Sequence, residues 1–350
     1  MFEFSQLRLP IIQAPMAGGL NTPLLASAVC NAGGVGSFGF AYTNAEKIAK
    51  DLAQTKTLTS GPVNGNFFIF QPVEMPSKQI TADAVTALSD FSLESDYTLT
   101  IPTPPFFPDI TQQLEAVWAQ QPAILTFHFG IPSAEIIQAA HARDISVGIT
   151  ATNIEDARAI IKAGADFIVA QGIEAGGHRG TFSADCYDSE LPLEQLLLEL
   201  VAGMSLPIVA AGGLMTGQDI NRALSLGAVA AQMGTGFLCC DESSTPSSYR
   251  EILLNEVSRP TKFTRGFSGR RAQGISNLFI EAMEHKPTLP FPIQNTLTGP
   301  VRQVAAKSND VEFQSLWAGH GYPKTREMSV ADLMTTLQEE MSDGKWTCGQ

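Results

Sequence analysis

The 350-residue chain holds 44% hydrophobic and 16% charged residues with a net charge of −13. This is the composition of an ordinary soluble globular protein with material for a large core, at a length that suits one α/β barrel with an appendage. The acidic balance excludes binding to a phosphate backbone, so no nucleic-acid partner is expected. No apolar run reaches the ~18–20 residues of a membrane span, so no membrane partner is expected either. The start "MFEFSQLRLP" lacks the basic and apolar parts of a signal peptide, which places the protein in the cytoplasm by default. The five cysteines contain no C-x-x-C pair and the five histidines are scattered, so neither a disulfide framework nor a metal site is expected.

Strand-like and helix-like segments alternate in chain order. "PIIQAPM" (10–16) reads as a buried strand before the helical "NTPLLASAVCNAGG", and "VGSFG" (35–39) precedes "NAEKIAKDLAQ". "PVNGNFF" (62–68) is a third strand, and "AILTFHFG" (123–130) a fourth followed by "SAEIIQAAHAR". "SVGITA" (146–151), "DFIVAQ" (166–171), "PIVAAGG" (207–213) and "AAQMGTGFL" (230–238) continue the series, with helices between them. Repeated β-α units imply a parallel sheet, and eight of them imply a closed (β/α)8 barrel of the TIM type. Two units echo each other: 152–172 and 216–234 each open with a Thr and an acid three residues on (Thr152/Glu155, Thr216/Asp219), a capping-box spacing.

Two stretches break the alternation. Residues 70–122, with "IPTPPFFP", are too long and proline-rich for an ordinary connection and read as an insertion after the third strand. The barrel is expected to occupy 1–258, and 259–325, mixing basic residues, Gly, Pro and aromatics, to form a cap on the substrate side. The last helix (328–342) has apolar residues at Val330, Leu333, Met334 and Leu337, a packing face that would return to the barrel.

Chemistry in such barrels lies where strands end and loops begin. Here those ends include "APMAGG", "NGNFF", "FHFG", "QGIEAGGHRG", "AAGGLMTG" and "QMGTGFL". The last two offer backbone N–H groups and a hydroxyl, between which a phosphate fits without Lys or Arg. In "QGIEAGGHRG" the glycines suggest that something approaches the backbone closely, and one histidine stands among them.

In these motifs, together with "NAGGVGSFG" and the late "FQSLWAGHG", the chain resembles the nitronate monooxygenases, formerly 2-nitropropane dioxygenases, which are FMN-dependent TIM barrels. The match runs along most of the chain and in the same order, and "EAGGHRG" with "AAGG" and "GTGFL" is its specific part. The resemblance implies FMN as cofactor and a small nitronate or nitroalkane, with O2, as substrates. The reaction it implies is a detoxification-type oxidation of alkyl nitronates to carbonyl compounds and nitrite. It further implies that Ala14, Pro15 and Met16 lie along the flavin and that Asn66 hydrogen-bonds its ring. Gln171 would contact the ring or ribityl chain, and Gly176 and Gly177 would let the backbone approach it. Gly212, Gly213, Gly234 and Thr235 would bind the phosphate, with Gln232 and Met233 alongside.

The same resemblance makes His178 the catalytic base and His128 a second pocket histidine. An imidazole near its normal pKa of ~6.5 suits removal of an acidic α-proton, and a protonated one would orient a preformed nitronate. Arg179 reads equally well as a surface residue or an anion ligand, and Phe67, Phe68, Phe127 and Phe129 read as core. Two positions depart from the pattern, "FFIFQP" after Asn66 and Phe291 where a cap tyrosine is common, and both touch the substrate side. The competing reading is an NAD(P)H-dependent quinone or enoyl-thioester reductase on the same FMN barrel, although the glycines of these strand-end loops do not make a G-x-G-x-x-G dinucleotide fingerprint. A phosphate-binding lyase or isomerase without flavin would want a strand-end lysine, which these loops lack. The chain is expected to be a monomer or homodimer.

Overall fold

A computed structural model describes residues 1–89, 99–185 and 187–343, so positions 90–98 of the expected insertion lie outside the described residues. The strands in chain order are β1 (Ile11–Gln13), β2 (Gly36–Gly39), β3 (Val63–Phe68), β4 (Ile124–His128), β5 (Ser146–Ala151) and β6 (Phe167–Gln171). They continue with β7 (Gly177–His178), β8 (Ile208–Ala211), β9 (Ala230–Met233), β10 (Thr261–Thr264) and β11 (Ala272–Ile275). Eight of them form one parallel sheet in the order β1-β9-β8-β6-β5-β4-β3-β2. A parallel bridge between Ile12 and Val35, with Val35 N donating to Ile11 O at 3.0 Å, brings the two ends together. The sheet thus closes into the TIM barrel that the alternation implies.

Strand periodicity divides the side chains cleanly. Alternate residues point outward under the helices, as Phe67, Leu125, Phe127, Ile168 and Ala210 do in the main core. Ile12, Ile124, Phe167, Val169 and Val209 fill the lower barrel interior. Higher in the barrel the interior turns polar: Asn64 Nδ2 donates to Ser37 Oγ (3.2 Å), and Thr126 Oγ1 donates to Asn64 Oδ1 (3.1 Å). A buried polar chain is tolerable only when its members satisfy one another, as these do.

The helix Ile110–Gln120 packs its Leu114 and Val117 into the main core and leads directly into β4, so it serves as a barrel helix. Its Gln113 ties it to the β2 end, donating to Phe40 O (3.0 Å) and Thr43 O (2.7 Å). Upstream, the helix Lys78–Ser89 instead joins a second core with Phe267, Phe279 and Leu297 of the cap region. Insertion and cap therefore share their apolar faces above the barrel mouth. The two echoed helices differ at their starts. Gly217–Ser225 has the expected capping box of Thr216 and Asp219. For Ile154–Ala163 the cap is Asn153, whose side chain accepts from Asp156 N at 2.8 Å, because an equally good capping residue one step later shifts the frame. Among the described residues no helix is long and apolar enough to cross a membrane.

The helix Val330–Asp343 comes after the cap and packs against Pro23–Asn31 and Gly217–Ser225, with Val330, Leu333, Met334 and Leu337 buried. It thus covers the seam where β1 and β9 meet. Leu337→Ala should lower stability by about 2–5 kcal/mol through the cavity it leaves, measured by urea unfolding.

Candidate active site

The same alternation that buries Phe67 and Phe127 outward turns Asn66, Phe68, Thr126, His128, Thr150, Gln171 and Gln232 into the barrel mouth. They line a cavity of about 450 Å³ that also takes in Ala14, Pro15 and Met16 after β1. Gly176, Gly177 and His178 reach it from the loop after β6, and Gly212 and Gly213 from the end of β8. Met233, Gly234 and Thr235 close it beyond β9. Every residue singled out from the sequence for cofactor or catalysis thus faces one space.

One end of the cavity presents polar groups with nothing to bind. Among the described residues the amides of Gly213, Gly234 and Thr235 find no protein acceptor. Asn66 spends its Nδ2 on Thr126 O (3.2 Å) and Oγ1 (2.9 Å), which leaves Oδ1 open, and the Gln232 amide is likewise unspent. Gly213 has φ +69°, a left-handed conformation that strains any side chain. The segment 316–321 straps this end: Gly319 N donates to Thr235 Oγ1 (3.1 Å), and a Cβ on Gly176 would sit 2.5 Å from the Ala318 backbone. Buried polar groups are normally satisfied, so a polar ligand belongs here. An anion with a flat hydrogen-bonding ring system fits this donor set: amides for the anion, and Asn66 Oδ1 and Gln232 for the ring edge.

At the other end stands His178. It is on β7, outside the barrel, and the antiparallel pairing of β7 with β11 (Ala272 opposite His178) fixes its backbone from the cap side. Its ring lies 5.6–6.2 Å from those of Trp317, Phe291, Phe129 and Phe68. Phe291 stacks on Phe70, which stacks on Phe107, so insertion and cap together roof the imidazole. Of the four phenylalanines expected as core, Phe67, Phe127 and Phe129 are buried, Phe129 also packing on His178, whereas Phe68 lines the cavity.

The cage changes the protonation chemistry. Burial, then the charge of Arg270, then His128 and Arg302, push the His178 pKa down to about 3. The expectation of a normal imidazole pKa is therefore corrected: the ring is neutral at physiological pH because a charged one would be poorly solvated. Its tautomer follows from the neighbours. Ser268 Oγ donates to Arg270 O (3.0 Å) and accepts Arg270 N (3.2 Å), so His178 Nε2 carries the hydrogen toward Ser268 (2.9 Å). The lone pair on Nδ1 is left for the cavity.

His128 is also held down, to about 3, chiefly by burial. Both its nitrogens are engaged, Nδ1 with Thr150 Oγ1 (3.0 Å) and Nε2 with the His178 carbonyl (3.2 Å). Gln171 supports the same carbonyl through Nε2 (3.0 Å), while its Oε1 accepts Gly180 N (2.8 Å) and Arg179 Nη1 (3.2 Å). The Gln171 amide is thus largely spent on the loop. Arg179 is neither surface residue nor free anion ligand: it is 1% exposed, pairs with Asp188 at 2.8 Å, and donates to Gly172 O at 2.9 Å. Sequence reading assigned no role to Ser268, Thr150, Asp188 or Trp317: Ser268 lies ninety residues from His178, and Trp317 stands within the quoted "FQSLWAGHG" without a spacing that points to the histidine.

A parallel eight-stranded barrel with an unspent amide cradle and a caged histidine at the carboxyl ends of its strands defines a TIM-barrel enzyme. The nitronate monooxygenase family model matches residues 2–340, and the chain belongs to that family, a family of flavoenzymes. A nitronate monooxygenase from Paraburkholderia phytofirmans is 40% identical over 346 residues, covering 95% of this chain and 92% of the relative. One from Pseudomonas aeruginosa is 40% identical over 341 residues, covering 96% and 97%. Among solved structures, a nitroalkane oxidase from Streptomyces ansochromogenes superposes with TM-score 0.90 at 34% identity over 98% of both chains. FabK from Thermotoga maritima shares the fold, with TM-score 0.74 at 23% identity over 97% of this chain and 94% of its own.

The Arg179–Asp188 pair anchors the loop that carries His178. Burial raises the Asp188 pKa, but hydrogen bonding and charge from Arg179, then the Glu190 amide and the charge of Arg271 at 3.1 Å, outweigh it and the net shift is downward. A depressed carboxylate contributes stability above its unfolded value of about 4, and loses it as pH falls through the folded value. Arg179→Met should destabilise the fold by less than the ~3–5 kcal/mol of a fully stranded buried charge, because Arg271 (3.1 Å) and Glu190 N (3.1 Å) still meet Asp188, read by denaturant titration at neutral pH. The deficit relative to wild type should shrink in acid.

Proposed function

We propose that the protein oxidises alkyl nitronates with O2 to carbonyl compounds and nitrite, using one noncovalent FMN laid across the barrel mouth. The observation that carries this reading is the pairing, in one cavity, of an unspent anion cradle at one end with a neutral histidine in an aromatic cage at the other. The Gly213, Gly234 and Thr235 amides would hold the phosphate, and Asn66 and Gln232 would meet the ring. Ala14, Pro15 and Met16 would flank it, with Gly176, Gly177 and Gly212 allowing close approach and Met233 alongside. The strap at 316–321 closes over the cradle, which favours FMN over a flavin that extends past its phosphate. When bound, the flavin supplies an electron acceptor for the substrate and a reaction partner for O2.

The protein's own part is to bind, orient and exclude water. The cage around His178 keeps the reacting carbon dry. With its Nδ1 lone pair free, His178 accepts an α-proton from a nitroalkane, but its depressed basicity makes that step costly. Preformed nitronates need no such transfer, so they are the better substrates, and nitroalkanes react through an added slow deprotonation. His128 and Gln171 act by position, holding the His178 carbonyl, and through it the ring.

The protein should purify yellow and release FMN on denaturation, identified by chromatography. Gly234→Leu should lose flavin while keeping its far-UV spectrum, because Gly234 has ordinary backbone angles and only the Ala14 Cβ (3.4 Å) near its missing side chain. A flavin-free wild type that takes up no added FMN would sink the cofactor assignment.

His178→Asn should lose activity on neutral nitroalkanes by a factor on the order of 10² while keeping most of its activity on preformed nitronates. Oxygen uptake and nitrite release with each substrate form provide the measurement. Because the free imidazole titrates near 3, wild-type kcat/KM should show no enzyme inflection between about pH 5 and 8. Equal losses on both forms would show that His178 binds rather than abstracts. Anaerobic bleaching by NADH at catalytic rates, without turnover of nitronates, would favour the reductase reading.

A further inference from the structure

In a chain of net charge −13, the cavity is lined by no carboxylate and, among the described residues, by a single formally charged side chain, Arg302. It projects from the helix Gly299–Lys307, where its Nη2 donates to Asn295 O (2.5 Å) and Oδ1 (3.1 Å). Its Nε is buried without an acceptor. Burial lowers its pKa, and the opposing influence comes from the Tyr42 phenol rather than from any acid. Arg179 differs: that guanidinium is buried too, yet it meets Asp188, which it shares with Arg271, and two backbone carbonyls. Arg270, stacked 3.8 Å over Phe129 and bonded to Thr181 O, does not line the cavity.

A buried guanidinium is normally matched by an anion, and this one faces a cavity instead. With His178 and His128 neutral, no imidazolium is there to complement a negative substrate. We infer that Arg302 is the specificity-determining cation of this site, binding the nitronate oxygens and selecting the anion over the neutral nitroalkane. This rests on the nitronate reading above and assigns its charge complementarity to a residue outside the loop motifs. Asn295 orients the guanidinium through Nη2, so its remaining donors are directed rather than freely rotating. The acidic remainder of the protein makes such a local positive spot the more selective, since diffuse surface charge would otherwise repel an anion.

The test uses flavin-loaded wild type, Arg302→Met, Arg302→Lys and Arg302→Gln, the last retaining a donor toward Asn295 in case the methionine variant folds poorly. Nitrite, as a bare anion probe, is titrated against the fluorescence of the protein, and KM and kcat are measured for ethyl nitronate and nitroethane. Arg302→Met and Arg302→Gln should weaken nitrite binding and raise the ethyl nitronate KM by about tenfold or more, with Arg302→Lys between them and wild type. The nitroethane KM should move by less than about threefold, and flavin content should stay level. Chloride should raise the wild-type nitronate KM and leave that of Arg302→Met unchanged. Nitrite and nitronate binding equal to wild type in flavin-loaded Arg302→Met or Arg302→Gln would overturn the assignment, as would equal loss for nitronate and nitroethane. A wild type that binds nitrite through Arg302 but oxidises no nitronate would sink the functional reading and leave the anion site standing.

Discussion

The carbonyl oxygen of His178 is the point where barrel and cap are joined. His128 donates to it from β4 and Gln171 from β6, while β11 of the cap pairs with the strand that carries it. The imidazole is therefore positioned by two layers of the molecule at once. A loop with four glycines would otherwise sample many conformations, and the entropy of fixing it is offset by these bonds and by the Arg179–Asp188 pair. The rest of the site, from cage to cradle, is arranged around that fixed backbone.

Two kinds of environment line one cavity. At the cradle, polar groups point inward without partners and favour an anionic, hydrogen-bonding ligand. Around His178, aromatic rings from the insertion and the cap remove water and keep the imidazole neutral. An open strand-end loop would leave the ring solvated and titrating near neutrality. Packing of the cap and of the strand-end phenylalanines around His178 thus keeps this imidazole a weak base. Membership of the nitronate monooxygenase family agrees with that chemistry.

Much of this was legible in the sequence because the signals are local. The eight strands follow from β-branched runs between helical patterns, and the unbonded amides at the cavity from two glycine-rich strand ends. Asn66 could be placed because its neighbours "NGNFF" carry both a strand pattern and the family motif. Gln171 was placed in the right cavity, and the structure adds what the motif did not show, that its amide also holds the His178 loop. The capping residue of Ile154–Ala163 was misread by one position, since Thr152 and Asn153 are both good caps and only the backbone angles decide between them.

The sequence by itself determined the barrel, the family and the side chains that reach the mouth, because strand periodicity and strand-end motifs are encoded within a few residues. Tertiary structure alone decided which charges and rings stand beside them. Phe68 and Phe67 are adjacent in sequence, yet one walls the substrate space and the other lies in the core. Ser268 lies ninety residues from the histidine whose tautomer it sets, and Arg302 lies farther still from the loop that it faces. The pKa of a buried group depends on the sum of all charges and dipoles around it, and that sum exists only once the chain has folded.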